Sequence, residues 1–131
     1  MMDGFKYKNV FLIDDSYIDN LINKKILENE KFAQSITLID NPIEAFQLIK
    51  TALENGQLLP EVIFLDLRMP MMNGFEFLNS LMEIPGLEPG KIKIYILTSS
   101  LDPTDIKQIK ENPMVSKFIG KPLSKQSIQE I

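Results

Sequence analysis

The chain contains neither cysteine nor histidine among its 131 residues. Without thiols there is no disulfide framework, no thiolate nucleophile and no cysteine-based metal site, and a reducing compartment is compatible with that. Without imidazole, no catalytic triad, His-ligated metal or phosphohistidine can be built from this chain alone. No apolar run reaches the length that spans a bilayer. The N-terminal stretch Met1-Met2-Asp3-Gly4-Phe5-Lys6 carries an acid early and lacks a long apolar core, so it does not read as a secretory signal. A basic surplus is missing too: the net charge is −4, with lysines scattered among acids, which argues against nucleic-acid binding. These absences point to a cytoplasmic protein with no membrane insertion.

What is present is ordinary in bulk. A content of 44% hydrophobic and 24% charged residues fits one soluble domain, long enough to bury a core. The chain then alternates between short apolar runs and helical periodicity. Strands are expected at Val10–Ile13, Ser35–Ile39 (nearer an edge), Val62–Leu65, Ile92–Leu97 and Ser116–Ile119. Helix starts are marked by Ser16 with Asp19, Asn41-Pro42, Asn73 with Glu76, Asp102-Pro103 and Ser124. Ile18, Leu21, Ile22 and Ile26 recur at helical spacing after the first of these. Ala45, Ile49, Ala52 and Leu53 do so after the second, up to Gly56. Phe75, Leu78, Leu81 and Met82 form the expected apolar face of the third helix, and Ile106 and Ile109 mark a short fourth one that Pro113 stops. Strands separated by helices predict an α/β, doubly wound, five-stranded parallel sheet with helices on both faces.

Such a sheet presents the carboxyl ends of all its strands at one edge. That edge would carry Asp14 and Asp15 from the first strand, Asp66 from the third, Thr98-Ser99-Ser100 from the fourth and Lys121 from the fifth. Taken singly, each has a plain explanation: acids favoured at a helix N-terminus, turn formers, a solvated lysine. Convergence from four separated segments is what makes them a candidate site. Three adjacent carboxylates cannot all stay ionised without a counter-charge, so protons or a cation must enter. An oxygen-only site with a lysine and a hydroxyl suits Mg²⁺ and phosphate oxygens. Asp66 then reads as a nucleophile toward a phosphoryl group, giving an aspartyl phosphate; with no histidine in the chain, a phosphohistidine donor would have to be a different protein.

With these residues in place, the chain resembles a response-regulator receiver domain, the phosphoacceptor module of two-component signalling, over about Lys8 to Lys125. The resemblance rests on Asp14-Asp15, Leu65-Asp66-Leu67-Arg68-Met69-Pro70, Gly74, Thr98 and Lys121-Pro122. It implies a single domain over 1–131 of the flavodoxin-like type, with strand order 2-1-3-4-5. It assigns phosphorylation to Asp66, Mg²⁺ to Asp14, Asp15, Asp66 and the backbone carbonyl of Arg68, and phosphate contact to Lys121. Thr98 becomes the switch hydroxyl and Phe118 the aromatic switch residue, and the Lys121-Pro122 bond is expected to be cis. The implied partners are a sensor histidine kinase or histidine phosphotransfer protein and a downstream protein target. The output face is the fourth helix, fifth strand and last helix.

Several residues depart from the pattern. Phe118 has no phenol hydroxyl, so its movement would be driven by packing alone. Arg68 is bulky and charged beside the acceptor, and is read as tuning the phosphorylation or dephosphorylation rate. Met69, Met71 and Met72 make an apolar loop, either packing locally or offering an adaptable partner contact. The last helix is short for the family, as in a trimmed chain or one an output domain follows. Two alternatives stay open: a phosphorylation-independent binding module, and a Mg²⁺-dependent aspartyl phosphatase. The second wants an Asp two residues after the nucleophile, where this chain has Arg68. On the favoured reading the protein is a signalling phosphoacceptor, not an enzyme acting on other substrates.

Overall fold

The computed structural model describes residues 4–99 and 102–131. Met1, Met2 and Asp3 of the N-terminal stretch, and Ser100 of the predicted turn, lie outside the described residues. The elements run β1 (Tyr7–Ile13), α1 (Tyr17–Asn29), β2 (Ala33–Ile39), α2 (Pro42–Glu54), β3 (Val62–Asp66), α3 (Gly74–Met82), β4 (Lys93–Thr98), α4 (Pro103–Glu111), β5 (Lys117–Gly120) and α5 (Lys125–Gln129). All strand pairs are parallel and the order is β2-β1-β3-β4-β5. The expected fold is observed.

The predicted caps are the residues that start the helices. Ser16 Oγ accepts from Asp19 N at 3.2 Å, Asn41 Oδ1 from Ile43 N at 2.9 Å and Asp102 Oδ1 from Thr104 N at 2.9 Å. Asn73 and Glu76 form a reciprocal capping box, and Ser124 pairs with Ser127 in the same way. Each cap satisfies backbone donors that a helix N-terminus leaves open.

Two apolar layers sandwich the sheet, and the period of two along each strand decides which residue enters which. Phe11, Ile13, Ile63, Leu65, Ile94 and Ile96 point to the layer shared with α2, α3 and α4, through Ala45, Ile49, Phe77, Leu81 and Ile109. Val10, Leu12, Val62, Phe64, Tyr95 and Leu97 point to the layer shared with Leu27 of α1 and Ile128 of α5. An aromatic row crosses this second layer, Phe32 to Phe64 at 5.5 Å and Phe64 to Tyr95 at 5.6 Å between ring centroids. β3 is buried along its whole length, as expected of the central strand of a parallel sheet covered on both faces.

Two helical faces differ from the periodicity reading. In α1 the buried residues are Asn20, Asn23 and Leu27, while Tyr17, Ile18, Leu21 and Ile22 are exposed, Ile18 by 67%. The inner face near the N-terminus is polar because Asn20 is needed there: its Nδ2 donates to Asp14 O at 3.0 Å and to Ile39 O at 3.5 Å. The apolar residues are thereby turned outward. In α3, Phe77 is buried with Leu78 and Leu81, whereas Phe75 is half-buried and Met82 exposed.

Candidate functional site

Strand register assembles the site. Ile13 of β1 is level with Leu65 of β3, so the residues that follow, Asp14 and Asp66, stand side by side. Oxygens of Asp14, Asp15 and Asp66 all lie within 4.8 Å of one another; Asp14 and Asp66 are buried and Asp15 is exposed. Asp14 is fixed from both sides: its N donates to Ile39 O at 3.1 Å, and its Oδ1 accepts from Ser16 N at 2.9 Å. Thr98 ends β4, buried, in register with Gly120 of β5.

Lys121 enters from the other end of the sequence. Its Nζ lies 2.7 Å from Asp14 Oδ2, 3.2 Å from Asp66 Oδ1 and 3.2 Å from Asp19 Oδ2. Its backbone N donates to Thr98 O at 2.9 Å, and the Lys121-Pro122 bond is cis. The electrostatics follow from this crowding. Burial, and next the charge of Asp14, push the Asp66 carboxyl up to about 6, with Lys121 pulling the other way. For Lys121 burial alone would lower the ammonium, but the Asp14 hydrogen bond and the Asp66 and Asp14 charges outweigh it and hold it well above the usual lysine range. One ammonium thus serves three acids, and Asp66 still carries an unmet preference for a cation or a proton.

The loop after β3 is shaped around the acceptor. Gly74 N donates to Leu67 O at 2.8 Å, and a Cβ on Gly74 would meet Leu67 Cα at 3.0 Å and Asp66 O at 3.1 Å. A side chain there would force the Leu67 and Asp66 backbone to give by a few tenths of an ångström, so glycine lets α3 start this close to the acceptor. The three methionines divide between the two readings given to them. Met69 is buried, Met72 packs against the core, and Met71 stands 73% exposed with φ +70°, a left-handed conformation costly for a side chain of its size. Arg68 sends its side chain to the Asp105 carboxylate on α4. Phe118 is half-buried on β5, with Lys110 Nζ 5.8 Å from its ring centroid.

Asp14, Asp15, Asp66, Thr98 and Lys121 therefore reach the same edge of the sheet. Sequence reasoning missed three. Asp19 is a Lys121 partner as well as the residue whose N–H bonds the Ser16 cap; its place in the first turn of the helix that follows Asp14 and Asp15 was the available signal. Asn20 and Asp105 carried no signal, since a buried amide or carboxylate is invisible until its partners are located. A cleft of about 310 Å³ lined by Asp19, Ile22, Asn23, Ser99, Lys121 and Pro122 leads from the α1 face to the lysine.

The model of the response regulator receiver domain matches residues 10–131. The chain belongs to that family. The receiver is 26% identical to a two-component response regulator from Cytophaga hutchinsonii, whose crystal structure superposes with a TM-score of 0.87 over 95% of this chain and 93% of that one. It is 26% identical over 133 residues to the two-component response regulator ORR1 of Oryza sativa, covering 100% of this chain and 56% of that protein. It is 32% identical over 75 residues to protein-glutamate methylesterase/protein-glutamine glutaminase 3 of Burkholderia thailandensis, covering 57% of this chain and 19% of that protein. The chain thus spans about half or less of these two curated relatives. Receivers are signalling modules that typically bind Mg²⁺ at an acidic cluster and interact with histidine kinases and effectors; the Asp14, Asp15 and Asp66 cluster fits that pattern. Among the described residues no helix is long and apolar enough to cross a membrane.

Proposed function

We propose that Asp66 is the phosphoacceptor of this receiver, taking its phosphoryl group from a phosphohistidine on a sensor kinase or histidine phosphotransfer protein. The observation that carries this reading is Lys121 Nζ within 3.2 Å of both Asp14 and Asp66, with oxygens of three acids inside 4.8 Å. One carboxylate oxygen of Asp66 attacks phosphorus; the O–P bond forms, the P–N bond breaks, and the imidazole leaves with the bonding pair and takes up a proton. The Lys121 ammonium faces the charge that develops on the transferring group. Asp14, Asp15, Asp66 and the Arg68 carbonyl would hold Mg²⁺, an assignment supported by the all-oxygen donor set and the raised Asp66 carboxyl. When bound, that ion offsets charge on the phosphoryl oxygens. Phosphorylation then draws on the Thr98 hydroxyl, Phe118 repacks, and the face of α4, β5 and α5 meets a downstream protein.

The donor docks on α1. Its exposed row of Tyr17, Ile18, Leu21 and Ile22 starts two residues after Asp15, and Ile22 lines the cleft that reaches Lys121. Intact-protein mass spectrometry after incubation with acetyl phosphate and Mg²⁺ tests the acceptor. One phosphoryl adduct is expected, lost in Asp66→Asn and in EDTA. An adduct that survives Asp66→Asn overturns the assignment.

A further inference from the structure

α4 is held to the body by little of its own sequence. Of Pro103–Glu111 only Asp105 and Ile109 are buried. Clefts run along both flanks. One of about 330 Å³ separates it from α3 and is lined by Phe75, Met82, Gln108 and Pro113; one of about 430 Å³ separates it from β5 and is lined by Ile109, Val115 and Phe118. A helix with one isoleucine and one carboxylate in its buried face gains little from hydrophobic burial, so its polar attachments weigh more than usual.

One such attachment leads straight to the site. The Asp105 side chain is 9% exposed and accepts a charge-assisted hydrogen bond from Arg68 Nη2. Arg68 lies two residues beyond Asp66. The Arg68 side chain as a whole is 62% exposed. A phosphoryl group on Asp66 adds about 1.5–2 negative charges and three strong acceptor oxygens two residues from the base of this arm. The planar fork of arginine suits phosphate and carboxylate alike, so the two anions compete for it.

Resting on the assignment of Asp66 as acceptor, we propose that Arg68 is a two-position arm. It clasps Asp105 in the resting protein and turns to the phosphoryl oxygens of phosphorylated Asp66, releasing the first turn of α4. No covalent bond changes in this step; one ion pair is exchanged for another. Arg68 is thus a positioning residue that converts charge at Asp66 into mobility of a helix on the output face.

Hydrogen exchange read by mass spectrometry on α4 peptides tests this, before and after treatment with acetyl phosphate and Mg²⁺, with phosphoryl occupancy taken from the intact mass. In the wild type, phosphorylation is expected to speed α4 exchange by about fivefold or more. Arg68→Ala is expected to show fast α4 exchange already at rest, with unchanged protection in β3 reporting an intact fold and no further change on phosphorylation. Arg68→Lys, which keeps the charge but not the fork, falls between. The exchanged pair Arg68→Asp with Asp105→Arg restores slow exchange at rest, and phosphorylation no longer releases it. Unchanged resting exchange in Arg68→Ala overturns the clasp. Equal release in the wild type and the exchanged pair overturns the arm's second position. A wild type that takes no phosphoryl group overturns the acceptor assignment, while the resting comparison still decides the clasp.

Discussion

Asp66 closes the most buried strand of the sheet, and its chemistry is set by that position before any partner arrives. Its carboxyl is raised from 3.8 to about 6, first by burial and then by Asp14. The folded state therefore holds a proton more tightly than the unfolded chain, and without metal stability falls as pH rises between those two values. Asp66→Asn removes that slope. In urea melts with EDTA the variant should match the wild type below about pH 4 and exceed it by about 1–3 kcal/mol above about pH 6. Equal slopes in the two proteins would mean that Asp66 ionises like an ordinary carboxylate. At this scale the acids, Thr98 and Lys121 were legible because each closes or follows a strand of a parallel sheet. Asp19 and Asn20 were not, because their roles depend on the third dimension: one reaches Lys121 and the other holds the carbonyls of Asp14 and Ile39.

Among the elements, helix starts were read correctly wherever a cap, a proline or an acid marked them, since those residues act on the local backbone. Which way a helix faces was less legible. Periodicity gives the spacing of a stripe but not what lies beneath it, and under α1 lies the polar turn that carries Asp14. The outward stripe has a consequence for transfer. Ile18→Asp should slow phosphorylation from a phosphorylated histidine phosphotransfer domain by about tenfold, through loss of an apolar anchor. Because Ile18 is exposed and makes no part of the acid cluster, the rate with acetyl phosphate should stay as in the wild type. Equal loss with both donors would point to damage at the site instead of at a docking face. The methionine loop shows the same limit on a smaller scale: three like residues in one loop take a core, a packing and a solvent position, decided by a backbone path that composition does not encode.

For the whole molecule, one small site draws on β1, β3, β4 and the segment after β5, so a ligand there ties together four separated segments of the chain. Binding to the folded state alone raises stability by mass action. Millimolar Mg²⁺ should raise the midpoint of thermal unfolding at neutral pH, and do so much less near about pH 4, where Asp66 is protonated. An equal rise at both acidities would place the ion elsewhere. The strand order also has a meaning in time. A chain made from its N-terminus completes β1 and β2 first, and one edge of β1 waits for residues 62–66 to arrive. Asp14 and Asp15 are thus made before Asp66, which joins them when the middle of the sheet closes, and the ammonium that balances them is made after all three acids. The acids of this edge therefore have their lysine counter-charge only once β5 and Lys121 have been made, and the residue that completes the electrostatics of the site follows the strand that completes the sheet.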